Sequence, residues 1–349
     1  MAKTGIVRDN RYMEHFMGDY HPESPSRLQA IYTMLDEPEM KDSLVEIPPR
    51  FCTEEELLYI HSPAYISRIQ STAGRAVRLD PDTSTSPQTW EAAQLAVGGF
   101  LEAVDRVSSR EVDNAFAFVR PPGHHAETDR SGGFCIFNNV AIGAVHAMKK
   151  LGHSRVLIVD WDLHHGNGTM HSFYHDPRVL YFSTHQFPHY PGSGRMEEVG
   201  SGEGRGATVN VPLSPGPGDA EYSAIFREIL APIARQFQPG MIMVSAGFDT
   251  YHLDPLGGMR VTPEGYAMMT KMLLELGEET CGGRVVFILE GGYHLGGLSD
   301  SIRSVLHVMR GDHPSVSGIH ALSEITAPSA QHIVQTLRDF FKTYWPVLG

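Results

Sequence analysis

Short apolar runs rich in β-branched residues recur along this chain, each closed by glycine, proline or a charged residue. They cover Ala115–Val119, Val156–Val159, Val179–Ser183, Thr208–Pro212, Met241–Ser245 and Arg284–Leu289, with a shorter one at Gly5–Arg8. Their apolarity is continuous rather than alternating, which marks strands covered on both faces. Between them the apolar positions take a helical spacing, over Trp90–Val107, Asn138–Lys150, Ala220–Gln236 and Pro263–Thr280. QHIVQTLRDFFKTYW forms a last amphipathic helix. Nearer the N-terminus, Ser26 is placed to cap a helix running through Met34, and Thr53 and Glu56 have capping-box spacing. The polar stretches HFMGDYHPESPSR and LDPDTSTSPQTW read as loops. Strands alternating with helices predict an α/β fold, a parallel sheet with helices on both faces. No repeat, low-complexity segment or linker interrupts the pattern, so residues 1–349 read as a single domain.

Chemistry-bearing residues gather where the apolar runs end. After Val119 come Arg120-Pro121-Pro122-Gly123-His124-His125, and after Val159 come Asp160, Asp162, His164 and Asn167. Thr184 and His185 follow Ser183, Ala246-Gly247-Phe248-Asp249 follow Ser245, and Glu290-Gly291-Gly292-Tyr293 follow Leu289. In open parallel sheets, ligands bind beyond the carboxyl ends of the strands. Charged groups leaving a buried strand are costly unless compensated, and a bound cation compensates them. Asp162 and His164 are two residues apart, so in extended backbone both point the same way. One oxygen and one nitrogen suit zinc or a similar transition metal. Asp249 adds a third ligand and leaves a position open, as a catalytic metal requires. His124 and His125 are natural proton carriers, and the Tyr293 hydroxyl can donate to a developing oxyanion. Together these groups describe hydrolysis of an amide or related carbonyl. Taken singly, each has a plainer reading: a histidine pair in a core, a GGY turn, an aspartate capping a helix. His185 and His189 read as structural.

Composition narrows the function further. The net charge is −13 and no Lys/Arg-rich run is present, which argues against a nucleic-acid partner. Cys52, Cys135 and Cys281 are far apart and form no CxxC, so neither a disulfide framework nor a cysteine zinc site is expected. The N-terminus lacks the apolar core of a signal peptide, and no run approaches a membrane span. A soluble cytoplasmic protein with no membrane partner is the expectation.

RPPGHHA, GGFCIFNN, DWDLHHGNGT, SAGFD…DPLGG and LEGGYH, in this order, resemble the histone deacetylase family, including its bacterial deacetylase-like and acetylpolyamine amidohydrolase relatives. The resemblance runs from about Asp19 to the C-terminal region. It implies the arginase/deacetylase fold, a three-layer α/β/α sandwich with a mainly parallel sheet, and zinc (Zn2+, with Fe2+ the alternative) on Asp162, His164 and Asp249. By the same resemblance His125 is the general base and acid, while His124 stabilises the transition state with Asp160 as its carboxylate partner. Asn167 stands where some relatives carry Asp; the Asn form resembles the class II branch and leaves His125 with less anionic support. Tyr293 would polarise the acyl carbonyl. Phe134 and Tyr190 would wall a tunnel that Gly133 approaches closely, with Leu256 at its rim and Asp82 gripping substrate amides. Potassium (K+) would sit against Asp160, Asp162, His164, Ser183 and Thr184, partly through main-chain carbonyls.

The implied activity is removal of acyl groups from acyl-lysine in proteins or peptides. Acetylpolyamines are the alternative substrates. Leu256, where polyamine enzymes place an acid, and a compact N-terminal region both favour lysine. A non-catalytic acyl-lysine-binding module would lack a ligand, a histidine or the tyrosine, and all are present. A manganese hydrolase of the arginase type would need more aspartates. Homo-oligomerisation is left open by the sequence.

Overall fold

The structure, a computed structural model, describes residues 2–312 and 327–349. Among these residues eight strands form one sheet: β1 (Thr4–Val7), β2 (Val45–Glu46), β3 (Asn114–Ala117), β4 (Val156–Asp160), β5 (Val179–Gln186), β6 (Thr208–Leu213), β7 (Met241–Ala246) and β8 (Val285–Leu289). Their order is β2-β1-β3-β8-β7-β4-β5-β6, and every pairing is parallel. Nearly every residue of β3, β4, β7 and β8 is fully buried, as their unbroken apolarity requires. The helices Thr89–Ser108 and Asn139–Lys149 pack together on the sheet, and Pro25–Leu35, Pro263–Cys281 and Leu295–Arg310 form a second packed group. The result is the expected three-layer α/β/α sandwich.

The four central neighbours β3, β8, β7 and β4 carry the loops in which the chemistry collects. Their register sets Asp160 opposite Ser245, Ala246 opposite Leu289 and Ala117 opposite Ile288. The four strands therefore end at one level, and their exit loops share one crevice.

Several elements differ from expectation. The Pro25–Leu35 helix begins at Ser24 as N-cap, with Pro25 in its first turn, rather than at Ser26. Proline's preset φ and missing N–H suit that position. The expected Ala220–Gln236 helix is three pieces: Asp219–Ile225, a π-helical turn Phe226–Leu230 and Ala231–Phe237. Pro232 cannot donate to the helical ladder, so the hydrogen bonding is rearranged just before it. β5 runs through Gln186, pairing with β6 as far as Leu213, so Thr184 and His185 lie inside the strand instead of beyond it. The helix Leu295–Arg310 and the two-residue strand β2 stand where the sequence pattern predicts no element. Among the described residues no helix is long and apolar enough to cross a membrane.

Candidate active site

Asp162, His164 and Asp249 come together although 85 residues separate the last two. Their ligand atoms all lie within 4.8 Å of one another. The His164 Nδ1 stands 3.2 Å from Asp162 Oδ1 and 3.0 Å from Asp249 Oδ2. Ligands bound tetrahedrally at about 2.0–2.1 Å would stand about 3.3 Å apart, so the trio is spaced to hold one ion. Backbone donors set each carboxylate: Gly291 N–H reaches Asp162 Oδ2 at 2.8 Å, and Leu163 N–H reaches Asp249 Oδ1 at 2.9 Å. Burial, reinforced by the Asp162 charge, pushes Asp249 up to about 7. Burial pulls the His164 imidazole down, but the two carboxylates more than offset this and carry it to about 10. Two carboxylates crowded out of water around one imidazole form a donor set that a divalent cation would compensate.

Above the trio opens a narrow pocket with a cavity volume of about 180 Å³, lined in part by Asp82, His124, His125, Gly133, Phe134, His164, Tyr190 and Tyr293. Eight of the residues singled out from sequence thus line one pocket, while Asp160, Asp162, Asn167 and Asp249 lie buried beneath. The loop carrying Gly133 and Phe134 bends sharply: both have positive φ, +54° and +70°. A Cβ on Gly133 would come within 2.3 Å of the His125 ring, so only glycine lets the loop pass this close. The Phe134 N–H is held by Thr83 Oγ1 at 3.1 Å, and Thr83 in turn donates to Asp82 Oδ1 at 3.0 Å. Tyr190 packs edge-on to His125 with ring centroids 5.0 Å apart.

The paired histidines have opposite surroundings. His124 Nδ1 lies 3.0 Å from Asp160 Oδ2, which also accepts from Tyr181 Oη at 3.0 Å. Burial opposes its charge, but Asp160, Asp162 and Glu290 outweigh burial and raise His124 to about 10. His125 Nδ1 faces Asn167 Oδ1 at 2.8 Å. Burial, with His124 and His164 adding repulsion, holds His125 well below the usual histidine range. Adjacent rings 4.0 Å apart therefore sit in opposite fields, one favouring the charged imidazole and the other the neutral one.

Further residues, to which the sequence pattern assigns no role, set these loops. Glu290 accepts from the Gly123 and His124 N–H groups at 2.7 and 3.2 Å, fixing the histidine loop, and burial pushes it up to about 7. An acid ending the apolar run VVFIL was its signal. Asp254 Oδ2 accepts from the Tyr293 and His294 N–H groups at 2.7 and 3.1 Å, setting the GGY turn. Arg27, fully buried, donates to Gly292 O at 2.7 Å and lies under the Tyr293 ring at 5.1 Å. It shares Glu23 with Arg120, also fully buried. Leu256 does not line the pocket: its turn is pinned by Asp254 Oδ1, and its carbonyl accepts from His189 Nε2 at 3.0 Å. Ser183 and Thr184 are fully buried in β5, with Ser183 Oγ 2.9 Å from His185 Nδ1. His185 completes its bonding on Gly194 O at 2.8 Å, a structural histidine.

Residues 21–309 match the histone deacetylase domain family. A probable deacetylase of Archaeoglobus fulgidus is 41% identical over 296 residues, 84% of this chain and 82% of its own length. The polyamine deacetylase HDAC10 of Homo sapiens is 39% identical over 340 residues, 93% of this chain and 50% of its own. The chain thus spans about four-fifths of the archaeal relative and about half of the human one. The solved HDA15 HD domain superposes with a TM-score of 0.92 at 37% identity, covering 99% of this chain and 96% of its own. With agreement of that extent in both sequence and fold, the chain belongs to the histone deacetylase family.

Proposed function

We propose that this protein is a zinc-dependent amidohydrolase that removes acyl groups from the side-chain amine of acyl-lysine in peptides or proteins. The observation carrying this reading is the Asp162–His164–Asp249 trio beneath a narrow pocket lined by His124, turned to Asp160, and His125, turned to Asn167. A cation held there would supply Lewis acidity toward the acyl carbonyl and a water of lowered pKa. Ferrous iron would suit the same donors. The β4–β5 register sets Asp160 opposite Ser183. Asp160, Asp162, His164, Ser183 and Thr184 thus lie at the end of β4, on its exit loop and on the adjoining strand, which supports potassium as a second bound ion.

The chain's own residues divide the remaining work. His125, neutral and with Nδ1 turned to Asn167, takes the proton of the attacking water at Nε2 and returns it to the departing amine. His124, kept charged against Asp160, stabilises the negative charge that develops on the carbonyl oxygen. The Tyr293 hydroxyl donates to that same oxygen. Phe134 and Tyr190 flank a methylene stem and keep water out, and Asp82 stands at the mouth within reach of the substrate's backbone N–H groups. The three buried thiols fit a reducing, cytoplasmic compartment.

Acetylpolyamines are the second reading, favoured by likeness to a polyamine deacetylase and by Asp80 and Asp82 together near the mouth. Zinc-loaded protein should be assayed on acetyl-lysine peptide, longer acyl-lysine peptides, N-acetylputrescine and acetylspermidine, with and without a chelator. Chelator-sensitive turnover with acyl-lysine preferred is the expected result. Preference for acetylpolyamines would replace the substrate, and chelator-resistant turnover would remove the metal from the reading.

A further inference from the structure

An amide at position 167 gives His125 no direct anionic partner, yet a carboxylate stands one hydrogen bond further out. Asn167 opens the short helix Asn167–Ser172 and bridges two groups. Its Nδ2 donates to Glu127 Oε1 at 2.6 Å, while its Oδ1 faces His125 Nδ1 at 2.8 Å. One helical turn later, His171 Nδ1 meets the same carboxylate, 2.9 and 3.1 Å from its two oxygens. Arg130 approaches it to 3.8 Å. The Glu127 side chain is only 13% exposed, and its main chain is pinned at both ends. Its N–H donates to Arg130 O at 2.8 Å, and its carbonyl accepts from His61 Nδ1 at 2.9 Å.

The donors and acceptors around this chain of bonds have one consistent solution. A carboxylate oxygen only accepts, so the short bond to Glu127 must come from the Asn167 NH2 group. That decides which way the amide faces, an orientation otherwise ambiguous. The amide oxygen turned to His125 also only accepts, so the imidazole carries its proton on Nδ1 and presents a bare Nε2 to the pocket. Carboxylate, amide and imidazole are polarised in the same sense, and each bond strengthens the next. We propose that Glu127 is a positioning residue: through Asn167 it fixes the tautomer of His125 and returns to it the anionic support that an amide alone does not give. This rests on the reading of His125 as the base of amide hydrolysis.

The test is a set of three variants of the metal-loaded protein, Glu127→Gln, Asn167→Asp and the double variant, assayed on the best substrate of the panel above. The glutamine introduced by Glu127→Gln can donate as well as accept, so it releases the Asn167 amide from its single orientation. Glu127→Gln should lower kcat by about tenfold, the size of effect typical of an outer partner that orients a histidine, with KM and metal content unchanged. Asn167→Asp sets a second carboxylate against Glu127 and should be impaired by their repulsion. In the double variant the introduced amide donates to the introduced carboxylate, which then accepts from His125, and activity should recover above either single variant. Nitrogen-15 NMR of the histidine rings should find His125 protonated at Nδ1 in the wild type and mixed in Glu127→Gln. Glu127→Gln with wild-type kcat and an unchanged His125 tautomer would overturn the proposal. So would a double variant no more active than the weaker single, the result expected if Glu127 only braces its loop. Should the wild type hydrolyse nothing in the panel, the functional reading fails on its own, while the NMR comparison still decides the role of Glu127.

Discussion

Tyr293 is a residue whose surroundings act on one hydroxyl in opposite senses. Burial raises its pKa well above the usual tyrosine value, while the Arg27 guanidinium beneath the ring pulls the other way without prevailing. The hydroxyl therefore stays protonated and available as a donor. Tyr293→Phe should cut kcat by about 10²–10³-fold, the cost of one oxyanion donor, and leave bound metal at wild-type stoichiometry. Wild-type turnover with full metal content would remove Tyr293 from the reaction. The chemical identity of such residues was legible in sequence because a histidine pair, a DxH and a GGY each stand at the end of an apolar run. Their electrostatic states were not. His124 and His125 are neighbours in the chain, yet one faces Asp160 and the other Asn167, partners 36 and 42 residues away.

At the scale of elements, the exit of β7 governs how closely the proposed metal ligands approach. Gly247 follows that strand, and a Cβ built on it would lie 2.0 Å from Asp162 Oδ2. The space reserved by the missing side chain is what allows strands β7 and β4 to bring Asp249 and Asp162 to a common point. Gly247→Ala should displace the Asp162 carboxylate and reduce bound metal at a fixed free-metal concentration by about tenfold or more, with the fold retained. Elemental analysis beside far-UV circular dichroism checks both halves, and full metal content in a folded variant would contradict the packing argument. Strands were read well at this scale because burial on both faces imposes a continuous apolar run. Helix ends and breaks were read less well. The Leu295–Arg310 helix carried a legible signal, since Leu298, Ile302, Val305, Leu306 and Met309 are buried at helical spacing. Its glycine-rich start masked the pattern.

Across the whole molecule, Glu23 ties the N-terminal helix to the loops of the site. Its carboxylate meets Arg120 Nη2 at 2.8 Å and Arg27 Nη1 at 3.2 Å, with every partner fully buried. Burial opposes its charge, but Arg120, with help from His15 and Arg27, lowers its pKa from 4.5 to about 2. A depressed carboxylate stabilises the fold fully above its unfolded pKa, so this contribution is complete above about 4.5 and is lost as pH falls through about 2. Glu23→Gln leaves two buried guanidinium groups short of a counter-charge and should cost about 3–5 kcal/mol near pH 7. Urea midpoints for the two proteins should draw together as the pH is lowered through that window. A variant as stable as wild type near pH 7 would show that the buried cluster contributes nothing.

The sequence by itself determined the α/β class, most strand positions and the residue types on which the proposed amide hydrolysis rests. Those properties follow from local pattern: unbroken apolar runs, and charged groups that a buried strand tolerates only where it ends. The order β3-β8-β7-β4 was decided by tertiary structure, since strands far apart in the chain become neighbours only when the sheet assembles. The same holds for Arg27 reaching Gly292 across 265 residues, for the left-handed backbone at Phe134, and for the bond from Asn167 to Glu127. Each depends on a partner fixed by packing, and no spacing along the chain encodes the position of that partner in space.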